Sequence, residues 1–165
     1  MVTFARKKIL CEPENIALLK TAIRLTQARY PIVIDALVLL PDHLHTIWTL
    51  PLDDMNYSMR WNTIKGCFSR HCLSNYKSPK NPSQKHKRAQ TIWQARFWKH
   101  QIRDDLDYEK HCDYIHWNPV KHGLVDRVED SPFSSFDRFM QKDFYPQDWT
   151  GMKDNRAVSG ETYGE

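Results

Sequence analysis

Ile32-Val33-Ile34-Asp35-Ala36-Leu37-Val38-Leu39-Leu40-Pro41-Asp42-His43-Leu44-His45-Thr46-Ile47-Trp48-Thr49-Leu50 is the stretch on which the fold turns. Its first half, Ile32 to Leu40, is rich in β-branched and aliphatic residues and short enough for a buried strand. Pro41-Asp42 supplies a turn, because proline pre-sets its own φ and aspartate bonds back to nearby backbone. From His43 to Leu50 a second strand resumes. Its period of two puts His43, His45, Ile47 and Thr49 on one face and Leu44, Thr46, Trp48 and Leu50 on the other.

Upstream, Pro13-Glu14 suits a helix start, and Ile16, Leu19 and Ile23 recur at helical spacing in a helix from about Glu14 to Arg29. Val2-Thr3-Phe4 reads as the tail of a strand. Downstream, Trp61, Ile64 and Phe68 face inward from a helix between Ser58 and Asn75, which contains Gly66. Residues 77 to 91 carry proline and a Lys85-His86-Lys87-Arg88 run without periodicity, the signature of a mobile basic loop. Ile92 to Lys99 alternates as a further strand. Asp104-Asp105 marks a helix N-terminus, where carboxylates meet the positive end of the dipole, and that helix is expected to end near Asn118 because Pro119 disfavours the α conformation before it.

The order strand, helix, strand, strand, helix, strand, helix predicts an α+β fold: a ferredoxin-like or RRM-like antiparallel sheet covered by helices, with an added C-terminal helix. Beyond Leu124, Phe133, Phe136, Phe139, Tyr145 and Trp149 anchor an irregular segment, and residues 151 to 165 are expected to be a disordered tail. A chain of 165 residues with 41% hydrophobic and 12% aromatic residues, six of them Trp, predicts one domain over residues 1 to 150 with an aromatic core. No apolar run approaches a bilayer span, and Arg6, Lys7 and Lys8 interrupt any signal-like start, so a cytoplasmic protein without membrane contact is expected. Cys11, Cys67, Cys72 and Cys112 lack CxxC spacing and read as free thiols. The net charge of +4 is modest, yet residues 77 to 103 hold eight Lys or Arg and no Asp or Glu, which concentrates it.

His43 and His45, two apart on a strand, project from one face and can converge on one ion. Such a pair is more often a polar surface pair, and a metal needs a third ligand from another element. Tyr114 and Asn118 lie four apart, hence on one face of the last helix, with Lys110 and Lys121 along the same stripe. From spacing alone Tyr114 reads first as one of seven tyrosines, its ring packed on the sheet with its hydroxyl at the rim.

Three blocks carry a stronger signal: Leu39 to His45 as quoted above; Ile92-Trp93-Gln94-Ala95-Arg96-Phe97-Trp98-Lys99-His100-Gln101-Ile102-Arg103; and Asp113-Tyr114-Ile115-His116-Trp117-Asn118-Pro119-Val120-Lys121-His122-Gly123-Leu124-Val125. Together they closely resemble the REP-associated tyrosine transposases, relatives of the single-tyrosine HUH transposases of bacterial insertion sequences. The resemblance implies that His43, His45 and Asn118 are ligands of a divalent metal, Mg²⁺ or Mn²⁺, and that Tyr114 is the nucleophile that cuts DNA through a 5′-phosphotyrosine. It also implies the same sandwich fold with a catalytic C-terminal helix, and a single-stranded or hairpin DNA substrate beside palindromic repeats. Arg96, Lys99, His100, Arg103, Lys121 and His122 are the expected DNA contacts, with Trp93 or Trp98 available to stack a base. For the tryptophans the alternative is core packing, and for Lys121 and His122 it is capping of the helix C-terminus. Monomer and homodimer both fit.

Family members usually carry more residues before the point matching Val2-Thr3-Phe4. The first strand is therefore expected to be clipped, either because the start lies upstream or because its neighbour has a partly unpaired edge. Three rival readings use the same residues: a hairpin-binding module that does not cut, a phosphodiesterase using metal-bound water, and a structural zinc site on Cys67, His71 and Cys72.

Overall fold

A computed structural model of the chain describes residues 1–77, 79 and 91–151. The expected basic loop at 77–91 and the expected tail at 151–165 thus lie almost wholly outside the described residues. Helix α1 spans Pro13–Arg29, strand β1 Val33–Leu39, strand β2 Leu44–Thr49, helix α2 Tyr57–His71, helix α3 Asp105–Lys121 and helix α4 Phe136–Met140. β1 and β2 pair as a two-stranded antiparallel sheet, in a mixed α/β fold of the kind expected. The chain forms two compact units. The first comprises Met1–Val33, Pro41–His43 and the described part of Thr49–Arg96; the second comprises Ile34–Leu40, Leu44–Trp48 and the described residues from Phe97 on.

In the first unit α1 packs on α2, with Leu19, Ala22, Trp61, Ile64 and Phe68 buried. The buried stripe of α1 is Asn15, Leu19, Ala22 and Thr26, so the expected Ile16 and Ile23 flank it rather than centre it. Polar residues tolerate that position because they are bonded. Asn15 Nδ2 donates to the Ile9 carbonyl at 2.8 Å, and Thr26 Oγ1 donates to the Ala22 carbonyl at 2.8 Å. Helix α2 starts on Asn56, whose side chain accepts from the Met59 N–H, and carries a fully buried Arg60 that donates to Pro31 O, Asn56 O and Asp54 Oδ2.

Two expected strands shrink to single bridges in this unit. Val2 pairs with His43 and Thr3 with Trp93, both antiparallel. Backbone bonds from Thr3 N to Asp42 O, from Phe4 N to Ile92 O and from Gln94 N to Val2 O fix this short segment on both sides, so the residue beginning the His43 run is paired. The chain then enters a 3₁₀ turn at Phe4–Arg6 with Ala5 and Arg6 at positive φ, and the ladder stops. Without a longer partner, the strand expected over Ile92 to Lys99 does not extend beyond Trp93, which instead buries its ring against Phe68 at 5.1 Å between centroids.

The second unit is built round Ala36, Val38, Leu40, Cys112, Ile115, Val128, Phe136, Phe139 and Tyr145. The segment expected to be irregular is more regular than its sequence suggests. Ser134 bridges to Val38, Leu39 N donates to Phe133 O at 2.9 Å and Ser135 N donates to Leu37 O at 2.8 Å, before α4 begins. Helix α3 starts as read, Asp104 accepting from the Asp107 N–H at 2.8 Å. It runs past Asn118, however, with Pro119 inside it. The end is set by Gly123 at φ 63°: Leu124 N donates to Pro119 O and Gly123 N to Val120 O, a Schellman closure that satisfies the last carbonyls. That closure, available only to a residue at ease with positive φ, outweighs the local preference before proline.

Among the described residues no helix is long and apolar enough to cross a membrane. The four cysteines are free. Cys67, His71 and Cys72 do not gather as a zinc site: His71 Nδ1 bonds to Cys67 O and Cys72 Sγ donates to Asn15 Oδ1. Burial pushes the Cys11 thiol up to about 11.

Candidate functional site

In the first unit, His43 is buried, and its Nδ1 lies 2.7 Å from Asp42 Oδ1. In the neutral ring this bond puts the proton on Nδ1 and the lone pair on Nε2, the tautomer a metal ligand needs, with the carboxylate orienting the ring from behind. Burial raises the Asp42 carboxyl, but the bond to His43 and the guanidinium of Arg6 at 3.3 Å more than offset it, and the group sits below the usual range. The sequence reading gave Asp42 only a turn role. Its position directly before the histidine was the available signal.

The second unit holds His45, Tyr114, Asn118 and Lys121. β2 carries His45 and α3 carries the rest. The His45 and Tyr114 rings meet edge to face, centroids 5.4 Å apart and planes at 89°. Lys121, expected as a DNA contact or a cap, places its Nζ 3.4 Å from the Tyr114 hydroxyl and 5.0 Å over the ring. One turn beyond Tyr114, Asn118 is fully buried, and among the described residues neither its Oδ1 nor its Nδ2 has a hydrogen-bond partner. A buried amide without a partner costs about 1–3 kcal/mol, so its retention asks for an explanation outside packing. A divalent ion accepting the amide oxygen is one that fits. Taken one by one, the imidazoles of His43 and His45 and the amide oxygen of Asn118 are donor types that a divalent ion takes.

Two residues before Asn118, His116 is equally buried and fully engaged. Its Nε2 lies 2.8 Å from Ser135 Oγ and its Nδ1 2.9 Å from Tyr145 Oη. Burial and then the Arg138 charge lower its pKa to about 4, which keeps the ring neutral.

The remaining expected contacts divide. Arg96 is exposed at the end of the first unit, and Lys99 is exposed in the second. His100 and Arg103 are committed to Asp107, whose Oδ2 receives His100 Nε2 at 2.8 Å, Arg103 N at 2.9 Å and Arg103 Nε at 3.3 Å. Burial raises the Asp107 carboxyl, but these donors pull it far below the usual carboxylate range. His100, Asp107 and His111 approach closely enough to share an ion, yet Oδ2 already holds three donors, one a permanent cation, which makes the group an anchor for the loop before α3. Sequence reading missed Asp107. His122 sits at the C-terminal end of α3, its N–H donating to Asn118 O.

No protein-family profile matches the sequence. The chain is 44% identical over 135 residues to the REP-associated tyrosine transposase of Escherichia coli K12, covering 81% of this chain and 72% of that protein. It is 43% identical over 135 residues to a Haemophilus influenzae protein whose name carries the same designation, covering 82% of this chain and 76% of that one. A solved structure described as the REP-associated tyrosine transposase bound to a REP hairpin matches with a TM-score of 0.76 at 38% identity, over 98% of this chain and 88% of that chain. Relatedness of this depth, across three-quarters or so of each curated relative and with the tyrosine helix included, places the chain among the REP-associated tyrosine transposases, enzymes that act on DNA.

Proposed function

We propose that this chain cuts and rejoins single-stranded DNA beside hairpin repeats through a covalent bond to Tyr114. The observation that carries the reading is the pairing of His45 with Tyr114 in one unit, with Lys121 at the phenolic oxygen. Tyr114 Oη attacks the phosphorus of a phosphodiester. A Tyr–O–P bond forms, the P–O3′ bond breaks, the phenolic proton leaves, and a proton is taken up by the departing 3′ oxygen. The result is a 5′-phosphotyrosine and a free 3′-hydroxyl. The phosphotyrosine keeps the phosphoester linkage, so a 3′-hydroxyl can attack it and rejoin a strand without ATP.

Lys121 stands within hydrogen-bond reach of the phenolic oxygen that attacks, where its charge faces the phosphate as well, and Asp42 holds His43 in the required tautomer. His43, His45 and Asn118 would hold a divalent cation, Mg²⁺ by abundance or Mn²⁺ by the two imidazoles. Bound there, such an ion supplies positive charge against the phosphate under attack. The substrate assignment rests on the hairpin bound to the structural relative and on the exposed cations Arg96 and Lys99.

The test is incubation of the protein with end-labelled hairpin DNA from repeats in its own genome, with Mg²⁺ or Mn²⁺, followed by a denaturing gel that retains adducts. An adduct lost in both Tyr114→Phe and His43→Ala is expected. Cleavage that survives Tyr114→Phe would instead mean attack by water, and binding without cleavage would mean a hairpin clamp.

A further inference from the structure

Of the two tryptophans in the block before α3, the structure buries one and presents the other. Trp93 is 4% exposed and packs on Phe68, whereas Trp98 is 43% exposed. The Trp98 ring is not loosely hung. It lies nearly parallel to His100, at 5.8 Å between centroids and 6° between planes, and to His111, at 6.1 Å and 17°. Those two imidazoles stack on each other at 4.5 Å and 12°, and Asp107 holds both, His100 Nε2 at 2.8 Å from its carboxylate and His111 Nδ1 at 2.8 Å from its backbone carbonyl. Asp107 is itself 6% exposed and fixed to the Arg103 backbone N–H. Three flat rings are therefore set in near-common orientation, His100 by the buried Asp107 carboxylate, His111 by the Asp107 carbonyl and Trp98 by stacking on both, and Trp98 offers part of a large apolar face to solvent. Lys99 follows it directly in sequence, and the Arg103 side chain is 63% exposed although its Nε is anchored.

We propose that Trp98 is a preorganised stacking platform for one unpaired base of the DNA strand, with Lys99 and Arg103 supplying charge for the flanking phosphates. The inference rests on the DNA substrate argued above, and it adds a base-contacting side chain to the residues placed at the reacting phosphate. Every base has a π face, so the platform contributes affinity without reading sequence, and its fixed ring plane means that little side-chain freedom is lost on binding. Asp107 acts only through the rings it holds, as a positioning residue.

The test uses the full chain and a hairpin oligonucleotide with a single-stranded flank, with binding read by fluorescence anisotropy. Trp98→Ala is expected to weaken binding about tenfold or more, and Trp98→Phe, which keeps a ring, to remain close to the parent protein. An abasic nucleotide walked along the flank is expected to reproduce the loss at one position. At that position Trp98→Ala should be indifferent to the missing base. Parent-like affinity in Trp98→Ala, or abasic losses that simply add to it at every position, would overturn the platform. Preferential, Trp98-dependent binding of the same sequence as RNA would overturn the choice of DNA. The adduct assay separates the two readings: an adduct formed normally alongside indifference to Trp98→Ala sinks the platform alone. A Trp98-dependent affinity with no adduct sinks strand cleavage alone.

Discussion

His116 and Asn118 sit two residues apart on α3, both without exposure, and they have opposite surroundings. Each ring nitrogen of His116 has a partner, one on Ser135 just before α4 and one on Tyr145. Neither polar atom of the Asn118 amide has one among the described residues. The first arrangement is what a polar core residue needs in order to stabilise a fold. The second burdens the fold, which is the pattern expected of a group kept for something it binds. One helix thus carries a structural residue and a candidate ligand within a single turn, and burial alone does not tell them apart.

That contrast is open to attack from either side. The largest effect is expected from Asn118→Leu, which keeps a branched side chain and deletes the amide. DNA cutting should fall on the order of 10³-fold, comparable to removing one electrostatic stabiliser of a transition state. Urea denaturation should show stability unchanged or raised, because a buried polar group without partners has been removed. A clear loss of stability would mean that the amide has a structural partner after all. His116→Ala should do the reverse. Two hydrogen bonds vanish and a cavity opens, so unfolding free energy should drop by about 3 kcal/mol while cutting per folded molecule changes little.

A smaller and reversible version of the second change comes from pH. The folded pKa of His116 is about 4, below the value of 6.5 for an unfolded histidine, so between those values the unfolded chain binds more protons than the native one. The stability that follows is complete above pH 6.5 and declines as pH falls toward 4. Between pH 7 and pH 5 the loss should be about 2 kcal/mol. Denaturation at the two pH values checks it, and a His116→Phe variant should flatten the slope; an equal slope in both proteins would assign the effect elsewhere.

Much of this was legible in the residues, and the failures have physical causes. The hairpin of β1 and β2 followed from a β-branched run broken by Pro41-Asp42, and α2 from Trp61, Ile64 and Phe68 at helical spacing. The strand expected after Ile92 failed because alternation describes a segment's willingness to pair, while the partner at Val2 and Thr3 is too short to oblige. The end of α3 failed because proline was weighed and Gly123 was not, although the closure at positive φ decides the terminus. At the site, spacing grouped His43 with His45 and Tyr114 with Asn118, and the three sequence blocks supplied the roles proposed for them. Asp42, Asp107 and the contact between Lys121 and Tyr114 were not found, since each depends on which atoms a folded backbone brings within 3.5 Å.

The unpartnered amide also bears on how such a gene would age. While DNA cutting is under selection, the stability lost at Asn118 is tolerated. With Asn118 in the ligand role proposed above, the first mutation there to a branched apolar residue, in a copy relieved of that duty, would be favoured by folding alone and would close the way back to cutting. Drift away from asparagine at this position would be an early mark of a transposase turned into a hairpin-binding servant of its host.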